Sequence, residues 1–163
     1  SNGPTYVFAH LYVPHPPFIF GPNGENVTPD HREISGLQSW ENPQGYLNQL
    51  IYATSEISVV ITNIVENDPN AIIILQGDTG TLTGTDISTT TIKDIYQSHS
   101  ILYAVRMPDV NNFENAIPVN TYRIIFNNYF DMNYEYLEHR VYMANENNEL
   151  KNVTKTIYEY RFG

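Results

Sequence analysis

The pattern of apolar and polar positions divides the first half of the chain into strand, loop, helix and strand. Residues 5–13, TYVFAHLYV, are β-branched and aromatic and predict a buried strand that ends at Pro14. Residues 18–45 are rich in Gly, Pro and Asn and predict a long loop. From residue 46 to 66, apolar side chains recur every three or four positions, which predicts an amphipathic helix. The apolar run 71–76 predicts a strand covered on both faces, as in a parallel sheet.

The second half continues with shorter elements. Residues 80–91 are polar and rich in Thr and Gly, which predicts a loop. Residues 100–107 predict a third strand, residues 109–118 a loop and residues 120–130 a helix. Two weakly alternating segments predict short antiparallel edge strands: HRVYMA (139–144) and KTIYEYRF (155–162).

The order of these elements predicts the fold class. Strand, long loop, helix and strand form a βαβ unit, so we expect an α/β protein with helices layered on a mostly parallel sheet, a three-layer α/β/α arrangement. Ser1-Asn2-Gly3 is interpreted as a cloning remnant, and residues 4–163 as one domain or part of one. The chain is expected to be an excised piece of a longer protein.

Composition narrows the function classes. The formal net charge is −10 and no basic run is present, which argues against nucleic-acid binding. The chain contains no cysteine, so disulfides, thiolate metal sites and cysteine nucleophiles are excluded within it. No apolar run reaches the length expected of a membrane span, and no signal peptide is visible.

The sequence Gly77-Asp78-Thr79-Gly80 directly follows the predicted strand 71–76 and allows two interpretations. An aspartic protease needs two Asp-Thr-Gly segments that share one proton, and this chain has one. In a homodimer of the retroviral kind, the partner supplies the second Asp-Thr-Gly segment. Those enzymes are all-β, however, whereas here a long predicted helix leads into the strand.

A metal-dependent ester hydrolase is the other interpretation. The carboxyl ends of parallel strands meet at one sheet edge, so His15 and Asp78 are expected to lie close together, with an anionic ester on the histidine and a cation on the carboxylate.

Four segments, in order, resemble sulfatase-like proteins of the alkaline phosphatase superfamily, close to membrane-anchored sulfatases and lipoteichoic-acid-synthase-like proteins. The resemblance runs from Tyr6 to Phe130. Its segments are VFAHLYVPHPPFIF, with the Pro-His-Pro-Pro motif; YLNQLIYATSEISVVITNIVENDPNAIIILQGDTG, which matches a helix and a strand ending in Asp-His-Gly; SILYAVRMPD; and IPVNTYRIIFNNYF.

The resemblance implies the C-terminal portion of an alkaline-phosphatase-like domain whose parent lies on the extracytoplasmic side of the membrane and acts on sulfate or phosphate esters. It implies that Asp78 is a ligand of a divalent metal (Ca, Mg, Mn or Zn), with Thr79 beside it, and that His15 lies near the bound ester. Lys93 matches a lysine near the ester more loosely. His10 matches a common histidine of this subfamily to which no role is assigned.

Two departures from the family pattern concern activity. Thr79 stands where the family has a metal-binding histidine, and a hydroxyl suits a hard cation such as Mg²⁺ better than a transition metal. The family's first metal-binding aspartate and its nucleophile lie upstream of the Pro-His-Pro-Pro segment, where this chain has only Gly3, Pro4 and Thr5 before the strand. The isolated chain is therefore expected to be inactive. The alternative is a degenerate, non-catalytic relative that binds a ligand or partner.

Overall fold

The structure, a computed structural model, describes residues 3–29, 40–81, 91–144 and 149–162. The chain divides into two compact units, Ser1–Val60 and Ile61–Gly163, each described separately below. Helix α1 (Pro43–Asn67) contains the boundary. The remaining elements, all in the second unit, are β1 (Ile73–Gln76), α2 (Ile92–His99), β2 (Tyr103–Arg106), a 3₁₀ turn (Pro118–Asn120), α3 (Thr121–Tyr129), β3 (Tyr142–Ala144), β4 (Leu150–Asn152) and α4 (Thr154–Phe162).

The predicted helices 46–66 and 120–130 are present as α1 and α3, and the strands predicted within 71–76 and 100–107 as β1 and β2. Among the described helices, none combines the length and the apolar character needed to cross a lipid bilayer. Local periodicity therefore located these two helices and two strands correctly.

The predicted three-layer α/β/α fold with a mostly parallel sheet is wrong. The described strands form two separate two-stranded sheets, and both are antiparallel. In the first sheet Ile73 pairs with Arg106 and Gln76 pairs with Tyr103. The strand was also expected to be covered on both faces, but no residue of β1 is fully buried. An apolar run carries no information about the direction of a neighbouring strand, which is set by the path of the connecting chain.

The predicted first strand, 5–13, is also absent. Residues 4–12 belong to no described helix or strand, and the side chains of Tyr6, Val7 and Phe8 are more than 70% exposed. A strand requires a neighbouring strand to receive its backbone hydrogen bonds, and β-branched and aromatic residues do not supply that neighbour.

In the first unit, Gln49 of α1 connects the helix to the segment after Pro14. Its Oε1 accepts hydrogen bonds from the backbone N–H of Ile19 (2.9 Å) and of Phe20 (3.3 Å), and its Nε2 donates to the carbonyl of His15 (3.0 Å). The side chain is 1% exposed. Because this buried side chain bonds to three backbone groups, one glutamine fixes the course of residues 15–20.

The core of the second unit lies between the β1–β2 sheet and α3. Met107, Ile124 and Ile125 are buried there, and Ile74 and Val105 pack against them from the strands. The Oη of Tyr103 also lies 2.7 Å from the Oγ1 of Thr121, which joins β2 to the start of α3. The buried face of α3 is therefore turned toward the sheet.

An adjoining face of α3 binds the extended segment 134–137 through side chains. Asn120 donates to the carbonyl of Leu137 and accepts from its N–H, both at 2.9 Å. Asn127 makes the same pair of bonds with Tyr134, at 2.9 and 2.7 Å, and Arg123 Nε donates to the carbonyl of Glu135 at 3.1 Å. We call Asn120, Arg123 and Asn127 the side-chain ladder.

The spacing of this ladder follows from backbone geometry. Seven helical residues and three extended residues both span about 10 Å. Asn120 and Asn127 therefore match the repeat of Leu137 and Tyr134, with the extended segment antiparallel to the helix.

The predicted edge strand 155–162 is wrong, because these residues form α4 instead. Asn152 Oδ1 accepts from the backbone N–H of Thr154 at 3.0 Å and satisfies a donor at the start of the helix. The Tyr160 ring lies 5.1 Å from the Tyr96 ring, centroid to centroid, where α4 contacts α2. The predicted segment 139–144 does contain a strand, β3, which pairs with β4.

Candidate functional site

Asp78 and Thr79 lie immediately after β1, and both are exposed. Asp78 Oδ1 accepts a hydrogen bond from the backbone N–H of Thr79 at 2.9 Å. Gly77 N donates to the carbonyl of Leu102 at 2.8 Å, which extends the pairing of β1 with β2 by one residue. The carboxylate therefore stands on a backbone that is fixed on its strand side.

Gly80 fixes the other side of this turn. Its N–H donates to the carbonyl of Ser98 at 2.8 Å, and a Cβ built on it would lie 1.9 Å from the carbonyl oxygen of Gln97. No side chain fits at that distance, so the glycine of Asp-Thr-Gly is required by close backbone contact with the end of α2. A Cβ on Gly77 would meet only ordinary van der Waals contacts, the nearest at 3.5 Å.

His15, in the first unit, is exposed and has a defined ring environment. Its Nδ1 lies 2.6 Å from the carbonyl oxygen of Pro16. A carbonyl only accepts, so Nδ1 carries the proton and Nε2 is the nitrogen left for other partners. The ring centroid lies 4.5 Å from that of Tyr12 and 5.4 Å from that of Trp40.

Lys93 is exposed on the first turn of α2. This turn begins with a capping box, in which Thr91 Oγ1 accepts from the backbone N–H of Asp94 while Asp94 accepts from that of Thr91. The predicted loop 80–91 lies largely outside the described residues, as do residues 30–39 of the loop 18–45.

The structure brings Asp78 and Thr79 together as neighbours, whereas His15 belongs to the other unit. The parallel sheet edge that was expected to unite His15 with Asp78 does not form, because residues 5–13 are not a strand. Within the described ranges, no group of three or more His, Asp or Glu side chains is gathered in a way that would hold a metal. Asp78 and Thr79 supply two oxygen donors, which suit a hard cation but are fewer than the about six that Mg²⁺ or Ca²⁺ requires.

One polar cleft in the second unit was not predicted. Its volume is about 280 Å³, and Ile124 and Val110 contribute apolar surface to it. The remaining lining residues are uncharged and polar: Asn111, Asn112, Asn115, Asn128 and Tyr136. The sequence feature that indicates this cleft is the cluster of three asparagines in residues 111–115, within the segment predicted as a loop.

The loop that carries these asparagines is fixed by hydrogen bonds. Tyr129 Oη donates to the carbonyl of Pro108, and Val110 N donates to the carbonyl of Met107 at 3.3 Å. Burial raises the pKa of Tyr129, the negative charge of Asp109 raises it further, and Arg106 opposes the shift. Tyr129 therefore stays a neutral donor to higher pH than a free tyrosine does.

Comparison of the chain with family models, with curated proteins and with solved structures finds no match. The sulfatase-like resemblance accordingly depends on the four motif segments alone.

Proposed function

We propose that this chain is the C-terminal part of a sulfatase-like, metal-dependent hydrolase or transferase that acts on sulfate or phosphate esters. In the parent protein, Asp78 and Thr79 supply oxygen ligands to a divalent cation, and His15 contacts the anionic group of the ester. The isolated chain is inactive. The reaction class and the roles of these residues both come from the motif segments that resemble sulfatase-like proteins.

The observation that carries the proposal is the position of Asp78. The carboxylate is exposed at the end of β1, and a single backbone N–H, that of Thr79, binds Oδ1 at 2.9 Å. On one side of Asp78, the backbone N–H of Gly77 donates to the carbonyl of Leu102, next to β2. On the other side, the backbone N–H of Gly80 donates to the carbonyl of Ser98 at the end of α2. A carboxylate on a fixed backbone loses little conformational freedom when it coordinates a cation, which favours binding.

His15 supports the second half of the proposal. Because Nδ1 donates to the carbonyl of Pro16, Nε2 is the ring nitrogen that an ester would meet. A charged N–H donor is the group that binds sulfate or phosphate oxygens well. The contacts of the ring with Tyr12 and Trp40 restrict its orientation.

A degenerate, non-catalytic binding domain is the second candidate, and Thr79 is the observation that favours it. The hydroxyl replaces an imidazole ligand of the resembled family and binds Zn²⁺ or Mn²⁺ more weakly. The two candidates differ in whether the parent turns over esters, and both expect the isolated chain to be inactive.

The experiment is a pair of measurements on the purified 163-residue chain. We expect no turnover of p-nitrophenyl sulfate or p-nitrophenyl phosphate, and weak Mg²⁺ binding by calorimetry that Asp78→Ala abolishes. Asp68→Ala is the matched control, since Asp68 is also an exposed turn carboxylate whose Oδ1 accepts from a backbone N–H, that of Asn70 at 3.0 Å. Turnover that depends on Asp78 would refute the proposed inactivity. Mg²⁺ binding that survives Asp78→Ala would remove Asp78 from the metal site.

A further inference from the structure

The asparagine-lined cleft of the second unit has no role in the ester chemistry proposed above. It is lined by Asn111, Asn112, Asn115, Asn128 and Tyr136, together with Ile124. Ile124 is 2% exposed and belongs to the core of the unit. The cleft therefore lies beside the core and is lined mainly by uncharged polar residues.

The lining carries no formal charge, which excludes a ligand recognised mainly by ion pairing. Each asparagine amide offers both N–H donors and a carbonyl acceptor, the combination that pairs with hydroxyl groups, which also donate and accept. The Tyr136 side chain is 40% exposed and adds an aromatic ring with a polar hydroxyl. The chemistry of the cleft thus fits a neutral, polyhydroxylated ligand with at least one apolar face.

Existing hydrogen bonds orient two of the amides. Asn128 Nδ2 donates to the carbonyl of Ile124 at 2.8 Å, which commits one amide hydrogen and fixes the side-chain plane. Asn112 Oδ1 accepts from the backbone N–H of Glu114 at 2.9 Å, and this bond uses none of its Nδ2 hydrogens. Because the donors and acceptors are placed before a ligand arrives, less conformational entropy is lost on binding.

The size of the cleft limits the ligand. Its volume of about 280 Å³ lies just below the about 300–1,000 Å³ typical of sites for drug-sized molecules. A single pyranose ring is compatible with this volume, and its C–H face can pack on Tyr136 while its hydroxyls pair with the amides. We propose that the cleft binds one neutral sugar ring of a glycan or glycoside.

The test is a titration of the ¹⁵N-labelled chain with methyl glucoside, methyl galactoside and N-acetylglucosamine, followed by NMR shifts of the side-chain amides. Glycerol tests whether a ring is needed, and inorganic sulfate tests an anion. We expect at least one sugar to bind in the millimolar range with shifts at Asn111, Asn115 and Asn128, and neither glycerol nor sulfate to reproduce them.

Variants locate the site. Tyr136→Ala should weaken binding about fivefold through loss of the ring contact, whereas Tyr136→Phe should stay within about twofold. Asn115→Ala should weaken binding about threefold to tenfold. Asn23→Ala, an exposed asparagine of the first unit, is the matched control and should leave binding unchanged.

Asp78→Ala should also leave sugar binding unchanged. Metal binding and sugar binding are therefore tested by different variants, and one proposal can fail without the other. Circular dichroism confirms that each variant is folded. The inference is overturned if none of the three sugars shifts the cleft amides, if glycerol or sulfate shifts them as strongly, or if folded Tyr136→Ala and Asn115→Ala bind sugar like the unmodified chain.

Discussion

The side-chain amide of Asn120 pairs with the backbone of Leu137 as a neighbouring β-strand would, donating to its carbonyl and accepting from its N–H, both at 2.9 Å. The asparagine is completely buried. One side chain at the start of α3 thereby makes the two backbone hydrogen bonds that a neighbouring strand would make, for a segment that belongs to no described strand.

Asn120→Ala should destabilise the second unit by about 2–4 kcal/mol, because it leaves two backbone groups without partners and removes a buried side chain. Urea denaturation measures the change. Asn127→Ala is the matched comparison, since Asn127 makes the same pair of bonds with Tyr134 at a more exposed position. It should cost about 1 kcal/mol, because water replaces the lost partner. Equal losses in the two variants would show that burial does not set the energy of this ladder.

Gly80→Ala should destabilise the chain by at least about 2 kcal/mol, because the added Cβ meets the backbone oxygen of Gln97 and one element has to move. Gly77→Ala, three residues earlier, should stay within about 0.5 kcal/mol. Thermal unfolding of the two variants makes the comparison. A Gly80→Ala variant as stable as Gly77→Ala would contradict the close approach of the turn to α2.

Gln49→Ala should destabilise the first unit by at least about 2 kcal/mol, since the N–H groups of Ile19 and Phe20 and the carbonyl of His15 lose their partner together. Gln44→Ala is the control, because exposed Gln44 donates to Asn48 on the same helix, and the substitution should be nearly neutral. Limited proteolysis within residues 15–20 should accelerate in the first variant alone. Unchanged cleavage there would mean that Gln49 does not fix this segment.

Tyr129 should make stability fall at alkaline pH. Its pKa is raised in the folded chain by burial and by Asp109, so the unfolded chain loses this proton first. The stabilisation is fully present below the ordinary tyrosine pKa of about 10 and is lost as pH rises through the higher, folded pKa. Tyr129→Phe removes this contribution and should flatten the free energy of unfolding above about pH 10, measured by urea denaturation across pH 8–11. An identical alkaline decline in both proteins would show that Tyr129 has no part in it.

Thr79→His should raise the affinity of the chain for Zn²⁺ and Mn²⁺ more than for Mg²⁺, because imidazole suits the first two metals better. Calorimetry of the single variant and of the Asp78→Ala, Thr79→His double variant measures the gain and its dependence on the carboxylate. Tight Zn²⁺ binding by the unmodified chain, or no gain from Thr79→His, would show that these two positions are not a metal pair.

The sequence predicted where α1, α3, β1 and β2 lie, because the period of the apolar positions distinguishes a helix from a strand. It did not predict the antiparallel direction of β1 and β2, since Ile73 and Arg106 pair across a connection whose path no local pattern specifies. The buried face of α1 was also misjudged. Val60 and Ile64 belong to the recurring apolar positions that predicted the helix, yet both are exposed, whereas polar Gln49 is buried and bonds to three backbone groups.

The parts of the candidate site that are local in the sequence could be predicted, and the parts that depend on long-range contacts could not. Asp78 and Thr79 could be located after β1 because the turn is local, but the union of His15 with Asp78 depended on a sheet that does not form. The asparagine-lined cleft was missed because Asn128 and Tyr136 join the 111–115 loop only through the folding of α3 and the segment after it. Amide side chains have no sequence motif of their own that separates a ligand site from an ordinary loop.

The side-chain ladder on α3 has a consequence for which substitutions the chain tolerates. Asn120, Arg123 and Asn127 hydrogen-bond to residues 134–137 at main-chain atoms, which every amino acid except proline presents alike. Residues 135 and 137 can therefore change over generations without loss of these bonds, whereas proline at 134 or 137 removes a required N–H. Natural variation in this region should consequently fall on the extended segment, while the three ladder positions on the helix stay the same.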